Sequence, residues 1–173
     1  MSIRLKVVTV IFASVLMIPS VYAANGNWTT VASACVPDER SQDMYMFNGA
    51  SFEFQLGNTG QIIARCNITD PHDFFNGVSP PWANMEVTYN DPDGMAAGNR
   101  VRVQLRRVHE VTGVSAILAG FDSNGFGAGQ QLQFLPFFHV FNFTDFAYYI
   151  EIIVDRNNAA TNNDVRIQRV RLR

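Results

Sequence analysis

The most constraining feature of this chain is strict alternation of apolar and polar residues, cut into short runs by turn formers. In residues 51–56, Phe52, Phe54 and Leu56 fall on one face; in residues 84–89, Met85, Val87 and Tyr89 do. In residues 100–105, Val101, Val103 and Leu105 alternate with Arg100, Arg102 and Gln104. Residues 146–154 place Phe146, Tyr148, Ile150, Ile152 and Val154 together. Successive side chains point to opposite faces of a strand, so period two predicts strands with one buried face. Asn48-Gly49, Asp91-Pro92-Asp93-Gly94, Gly98-Asn99 and Asn124-Gly125 separate the runs. Asn, Asp and Gly tolerate the positive φ of tight hairpins. No segment beyond the leader keeps a helical period for more than a turn or two. Nine or ten strands at this spacing predict an all-β fold: a two-sheet antiparallel β-sandwich, jelly-roll-like. Two slips of phase, after Leu105 and between Ile167 and Val170, predict β-bulges or strand ends.

Residues 1–23 read as a secretory signal peptide. Arg4 and Lys6 form the positive n-region, residues 7–18 the apolar h-region, and Val21-Tyr22-Ala23 the cleavage site. An apolar run of about 12 residues is short for a span of about 20, so cleavage is expected rather than retention. The mature chain, residues 24–173, then forms one domain, secreted or periplasmic, with no later transmembrane span. Cys35 and Cys66 both lie in it. In an oxidising compartment such a pair is expected to form a disulfide.

Charge narrows the function classes. The chain has 13 Lys and Arg, 15 Asp and Glu and a net charge of −2. Arg4 and Lys6 leave with the leader, so the mature chain is more acidic and, Lys6 being the only lysine, contains no Lys. Nothing in the sequence explains that absence. A nucleic-acid partner, which needs clustered positive charge, is not expected. Arg166, Arg169, Arg171 and Arg173 alternate with Val and Leu, as do Arg100 and Arg102. They read as solvated strand faces, paired across strands with Glu53, Glu86 or Glu151. No G-x-S-x-G elbow, H-E-x-x-H or phosphate-binding Gly loop is present; a carboxylate pair brought together from distant strands would leave no such mark.

Three clusters are candidate sites. Asp91-x-Asp93-Gly94 and Asp122-x-Asn124-Gly125 each place two oxygen-bearing side chains two residues apart before a Gly. That spacing suits calcium, and it is also the ordinary composition of a plain hairpin turn. Asp70-Pro71-His72-Asp73 and the following Phe74 and Phe75 occupy a long connection leading through Pro80-Pro81 to Trp82. Loop aromatics beside carboxylates can stack on sugar rings and bond hydroxyls; the more ordinary reading of Trp82 is a cap on one end of the core. The Phe-rich stretch 134–149 reads as two adjacent buried strands with Pro136 at a strand start, or as a surface for a partner.

Cys35, Gly60, Cys66-Asn67, Trp82, Tyr89-x-Asp91-Pro92-Asp93-Gly94, Arg100-Val101, Leu105-Arg106-Arg107 and Tyr149-x-Glu151 together resemble a loose group of small exported bacterial proteins of unknown function. The resemblance implies a one-domain β-sandwich with one disulfide and no particular activity. The expected function is a non-catalytic binding module for a glycan or envelope component. The alternative is a structural or adhesive envelope subunit that self-associates or binds protein partners.

Overall fold

The computed structural model describes residues 26–69, 79–157 and 165–173. Its strands are β1 (Trp28–Val31), β2 (Val36–Pro37), β3 (Tyr45–Asn48), β4 (Ser51–Phe54), β5 (Gly60–Ile68) and β6 (Asn84–Asp91). They continue as β7 (Asn99–His109), β8 (Ser115–Asp122), β9 (Gly129–Pro136), β10 (Phe146–Arg156) and β11 (Arg166–Leu172). All pairings are antiparallel. Sheet I has the order β3-β4-β11-β6-β9, and β1 also pairs with β11. Sheet II has the order β2-β5-β10-β7-β8. From β4 to β11 the chain crosses between β4-β11-β6-β9 and β5-β10-β7-β8 at every step except β7 to β8, which pair within sheet II. That connectivity is the two interleaved Greek keys of a jelly roll, so the predicted fold class is the observed one.

The alternating runs build the core. Phe52, Phe54, Met85, Val87, Tyr89, Ile167, Val170 and Leu172 face inward from sheet I, and Ile62, Ala64, Val101, Val103, Leu105, Ile150, Ile152 and Val154 from sheet II. Each large side chain so buried stabilises the fold by about 1.5–3 kcal/mol. The alternation overreaches at Leu56, which is exposed because β4 ends at Phe54 and residues 56–57 turn. The arm holding β1 and β2 passes from sheet I to sheet II. There Cys35 bonds Cys66 of β5, with Cα atoms 4.5 Å apart.

One expected bulge is present. Gln168 is the extra residue between the Ile167–Tyr89 and Arg169–Thr88 pairs. The other lies on the neighbouring strand: β7 runs in unbroken register along β10, and Leu118 of β8 is the residue left over. Arg107 therefore keeps the inward phase of β7, near the end of the sandwich. Its guanidinium lies 4.4 Å from the centre of the Phe146 ring, so the stack replaces an aliphatic contact.

The Phe-rich stretch also differs from expectation. Pro136 closes β9, residues 137–145 form a connection, and β9 and β10 lie in different sheets. Phe141, Phe143, Phe146 and Tyr148 cluster at that end of the core, with Phe141 and Tyr148 centred 4.8 Å apart. No helix among the described residues is long and apolar enough to cross a membrane.

Candidate functional site

The two carboxylate turns meet at one end of the sandwich. Asp91, fully buried at the end of β6, accepts from the Gly94 N–H at 3.2 Å and from the Ser123 hydroxyl of the other turn. Ser123 Oγ in turn accepts the Val101 N–H at 2.8 Å. Asp93 accepts the Asn99 N–H at 3.0 Å through Oδ2. Asp122 accepts the Arg100 Nε–H at 2.9 Å and the Asn124 N–H at 3.2 Å. Burial, reinforced by the neighbouring Asp93 and opposed by the Ser123 hydrogen bond, pushes the Asp91 carboxyl up to about 6. The Arg100 guanidinium holds Asp122 below the usual carboxylate range. Asp91, Asp93 and Asp122 thus each bind donors of the protein itself. Among the described residues no three of His, Cys, Asp or Glu are grouped to hold a metal ion.

Trp82 follows Pro80-Pro81, two residues before β6. It is 4% exposed, its Nε1–H donates to the Gly26 carbonyl at 2.7 Å, and its ring meets Phe141 edge-on at 5.0 Å. Its ring is packed rather than presented, which matches the core-capping alternative and leaves little face for a sugar. Asp70, His72, Asp73, Phe74 and Phe75 lie outside the described residues. An apolar groove of about 260 Å³ beside Trp82 is walled by Pro80, Pro81, Phe137, Phe138, His139 and Val140. His139 Nε2 lies 3.1 Å from the Tyr148 hydroxyl. Burial, with Arg107 adding to it, lowers the His139 pKa.

The outward faces of the two sheets differ. On sheet II the arginines are matched. Arg65 bonds Asp38 at 2.9 Å and Glu151 at 3.1 Å; Arg106 bonds Glu151 at 2.7 Å; Arg102 bonds Asp155 at 2.8 Å; Arg100 bonds Asp122. Four guanidinium groups thus meet four carboxylates.

On sheet I, β11 carries Arg166, Arg169, Arg171 and Arg173 outward, with Ile167, Val170 and Leu172 inward. Glu86 of β6, only 3% exposed, lies under Arg173 and within 3.8 Å of Arg171. Arg171 Nε also donates to Thr29 at 3.2 Å. Arg166 stands opposite Glu53 in register and Arg169 opposite Thr88, and neither makes an ion pair with a described residue. The edge strand β9 flanks this row. Phe134, opposite Glu86, is 49% exposed and carries the Arg173 guanidinium 5.0 Å from its ring centre. Gln130 and Gln168 bond each other at 2.9 Å nearby. A cavity of about 350 Å³, lined by Asn27, Pro81, Trp82, Asn84 and Arg173, opens at the Arg173 end.

Phe134 is thus an exposed ring on a flat, hydrogen-bonding sheet face, whereas period and composition read it as core. The available signal was positional. Leu132, Phe134, Pro136, Phe138 and Val140 alternate through β9 and beyond, and all five are exposed, Phe138 at 97%. The intervening Gln131 and Gln133 take the other face. An apolar set opposite a polar set marks a strand, but which set faces water depends on where the strand lies.

No family model matches the chain, and no curated protein matches it significantly. Two solved structures are similar in overall shape. One is the CBM36-1 domain of a multidomain xylanase from the hindgut metagenome of Trinervitermes trinervoides, 12% identical, with a TM-score of 0.43 over 86% of this chain and 97% of that one. The other is a family two carbohydrate esterase from Cellvibrio japonicus, 16% identical, with a TM-score of 0.41 over 85% of this chain and 33% of that one, so the match spans about a third of the esterase.

Proposed function

We propose that this protein is an exported, non-catalytic binding module for carbohydrate chains, with the ligand lying across the outer face of sheet I. The observation that carries the reading is Phe134. A half-exposed aromatic ring, with Leu132 beside it, stands on a sheet face that also carries Gln130, Gln168, Thr29 and Arg171, next to the cavity lined by Asn27, Pro81, Trp82, Asn84 and Arg173. An apolar ring stacks on the C–H face of a sugar while amide, hydroxyl and guanidinium groups bond its hydroxyls. The Cys35–Cys66 disulfide suits an oxidising, extracytoplasmic compartment. The test is binding of the disulfide-intact chain, residues 24–173, to a broad glycan array, followed by Phe134→Ala. Retention of one glycan class that falls roughly tenfold in Phe134→Ala supports the reading. Binding untouched by the substitution removes sheet I as the ligand face.

A second reading has its own observation. The exposed apolar residues Leu132, Phe134 and Pro136 lie on an edge strand, β9, that contains no charged residue, and Phe138 and Val140 continue the series into the connection after it. Such an edge is open to strand addition from a protein partner or a second copy. Concentration-dependent association in light scattering, abolished by Leu132→Lys, favours this adhesive or structural role; a strict monomer at high concentration counts against self-assembly.

A further inference from the structure

We propose that the ligand of the sheet I face is an acidic polysaccharide, one whose sugars carry carboxylates, held by the arginine row of β11. The inference rests on the carbohydrate reading and specifies its ligand class.

The chain as a whole carries a net charge of −2. Sheet II neutralises its outward arginines one for one, as its ion pairs show. Sheet I sets Arg166, Arg169, Arg171 and Arg173 against only Glu53 and Glu86. Both glutamates are buried to about 3% exposure, so what this face presents to solvent is guanidinium. Arg166 and Arg169 have no ion-pair partner among the described residues. An excess of positive charge is therefore concentrated on one face of an acidic molecule, and a face of that kind selects an anionic partner.

Geometry then selects a polymer. Strand residues rise about 3.3 Å each, so the row from Arg166 to Arg173 spans roughly 20 Å. The bulge at Gln168 restores the outward phase, so that Arg166 and Arg169 share a face despite their odd spacing. A single small anion meets one or two of these groups; a chain of acidic units meets all four. The guanidinium fork fits a carboxylate in bidentate fashion, which a point charge does not. Phe134 and Leu132 along one flank supply apolar surface for sugar rings. The outer backbone of duplex nucleic acid offers no ring face to that flank. A nucleic acid would also face the repulsion of the acidic remainder of the protein.

The test compares polygalacturonate with the same polymer fully methyl-esterified, which keeps the sugar backbone and removes the charge. The wild-type protein, residues 24–173, is expected to bind polygalacturonate and not the ester. Binding should weaken steeply from about 0.01 to about 1 M salt, as the screening length falls from about 30 to about 3 Å. Arg169→Gln is expected to lower affinity about tenfold, with the fold checked by circular dichroism. Arg166→Gln, on the same row, is the second variant should Arg169→Gln not fold. Equal binding of both polymers, or binding of neutral glycans alone, overturns this inference and leaves the carbohydrate reading standing. Failure to bind any glycan overturns both. Equal affinity for double-stranded DNA or for phosphatidylglycerol vesicles overturns the assignment to a polysaccharide.

Discussion

Asp91 makes the stability of this fold depend on pH in a direction opposite to that of an ordinary surface carboxylate. Its carboxyl is fully buried, meets hydrogen-bond donors but no cation among the described residues, and is pushed from the ordinary 3.8 up to about 6 chiefly by burial. A raised pKa means that the folded state holds the proton more tightly than the unfolded chain. The resulting stabilisation is complete below pH 3.8 and is lost as pH rises through about 6. A shift of that size corresponds to about 3 kcal/mol across the window. His139 acts oppositely in an overlapping range: its pKa is lowered, so the stability it contributes is present above 6.5 and is lost on acidification. The raw pH profile therefore mixes the two. The difference between the wild type and Asp91→Asn isolates the carboxyl. We expect urea unfolding at pH 4 and at pH 8 to give wild-type-minus-variant free energies that differ by about 2.5 kcal/mol, the wild type faring relatively better in acid. A difference constant across that range would refute the argument, and would mean that the turn network solvates the ionised carboxylate as well as water does.

Two further outcomes follow from the same geometry. Replacing Cys35 and Cys66 by Ala frees a loop with a sequence separation of 31. It should lower stability by about 3–4 kcal/mol in the chain-entropy description, read as a lower urea midpoint. Gly94→Ala places a Cβ 2.6 Å from the Ala128 nitrogen, at a φ of +60°. The backbone conformation alone costs about 1–2 kcal/mol, and the contact adds to it, so a melting temperature unchanged from wild type would show that the two turns do not pack together as described.

The jelly roll was legible because each of its strands reports its own burial. Met85, Val87 and Tyr89, or Val101, Val103 and Leu105, alternate with polar neighbours, and that pattern needs no knowledge of the partner strand. Where the local signal failed, the cause lay in a neighbour. The slip after Leu105 could not be assigned to β7 or β8 from either strand alone, since a bulge is a mismatch between two registers. Arg107 looked like a break in the inward series because its apolar partner, the Phe146 ring, comes from another strand. The paired Asp turns were visible as turns, but that Ser123 reaches across to Asp91 depends on β6 and β8 ending at the same pole of the sandwich.

The arginines show why a candidate face is harder to read than a core. Alternation placed Arg100, Arg102, Arg166, Arg169, Arg171 and Arg173 outward, and all of them are outward. It could not say which would be neutralised, because that is set by strand order. In sheet II, β7 lies between β10 and β8, which bring Glu151, Asp155 and Asp122 to its arginines. In sheet I, β11 lies between β6 on one side and β4 with β1 on the other. Those strands supply only Glu86, shared by two arginines, and Glu53, which pairs with none of the described residues. The same Arg-x-Arg pattern therefore becomes a closed ion-pair lattice on one face and an open cationic row on the other. If strand neighbours decide the difference, supplying a carboxylate should close the row. Thr88→Glu, opposite Arg169 in register, places a cross-strand acid where sheet I lacks one. Cross-strand pairs of opposite charge are worth about 0.2–1 kcal/mol, so stability should rise by an amount of that order, while binding of polygalacturonate should fall severalfold. A rise in stability with binding intact would separate the row from the ligand. A fall in both would mean that Arg169 is already neutralised in solution.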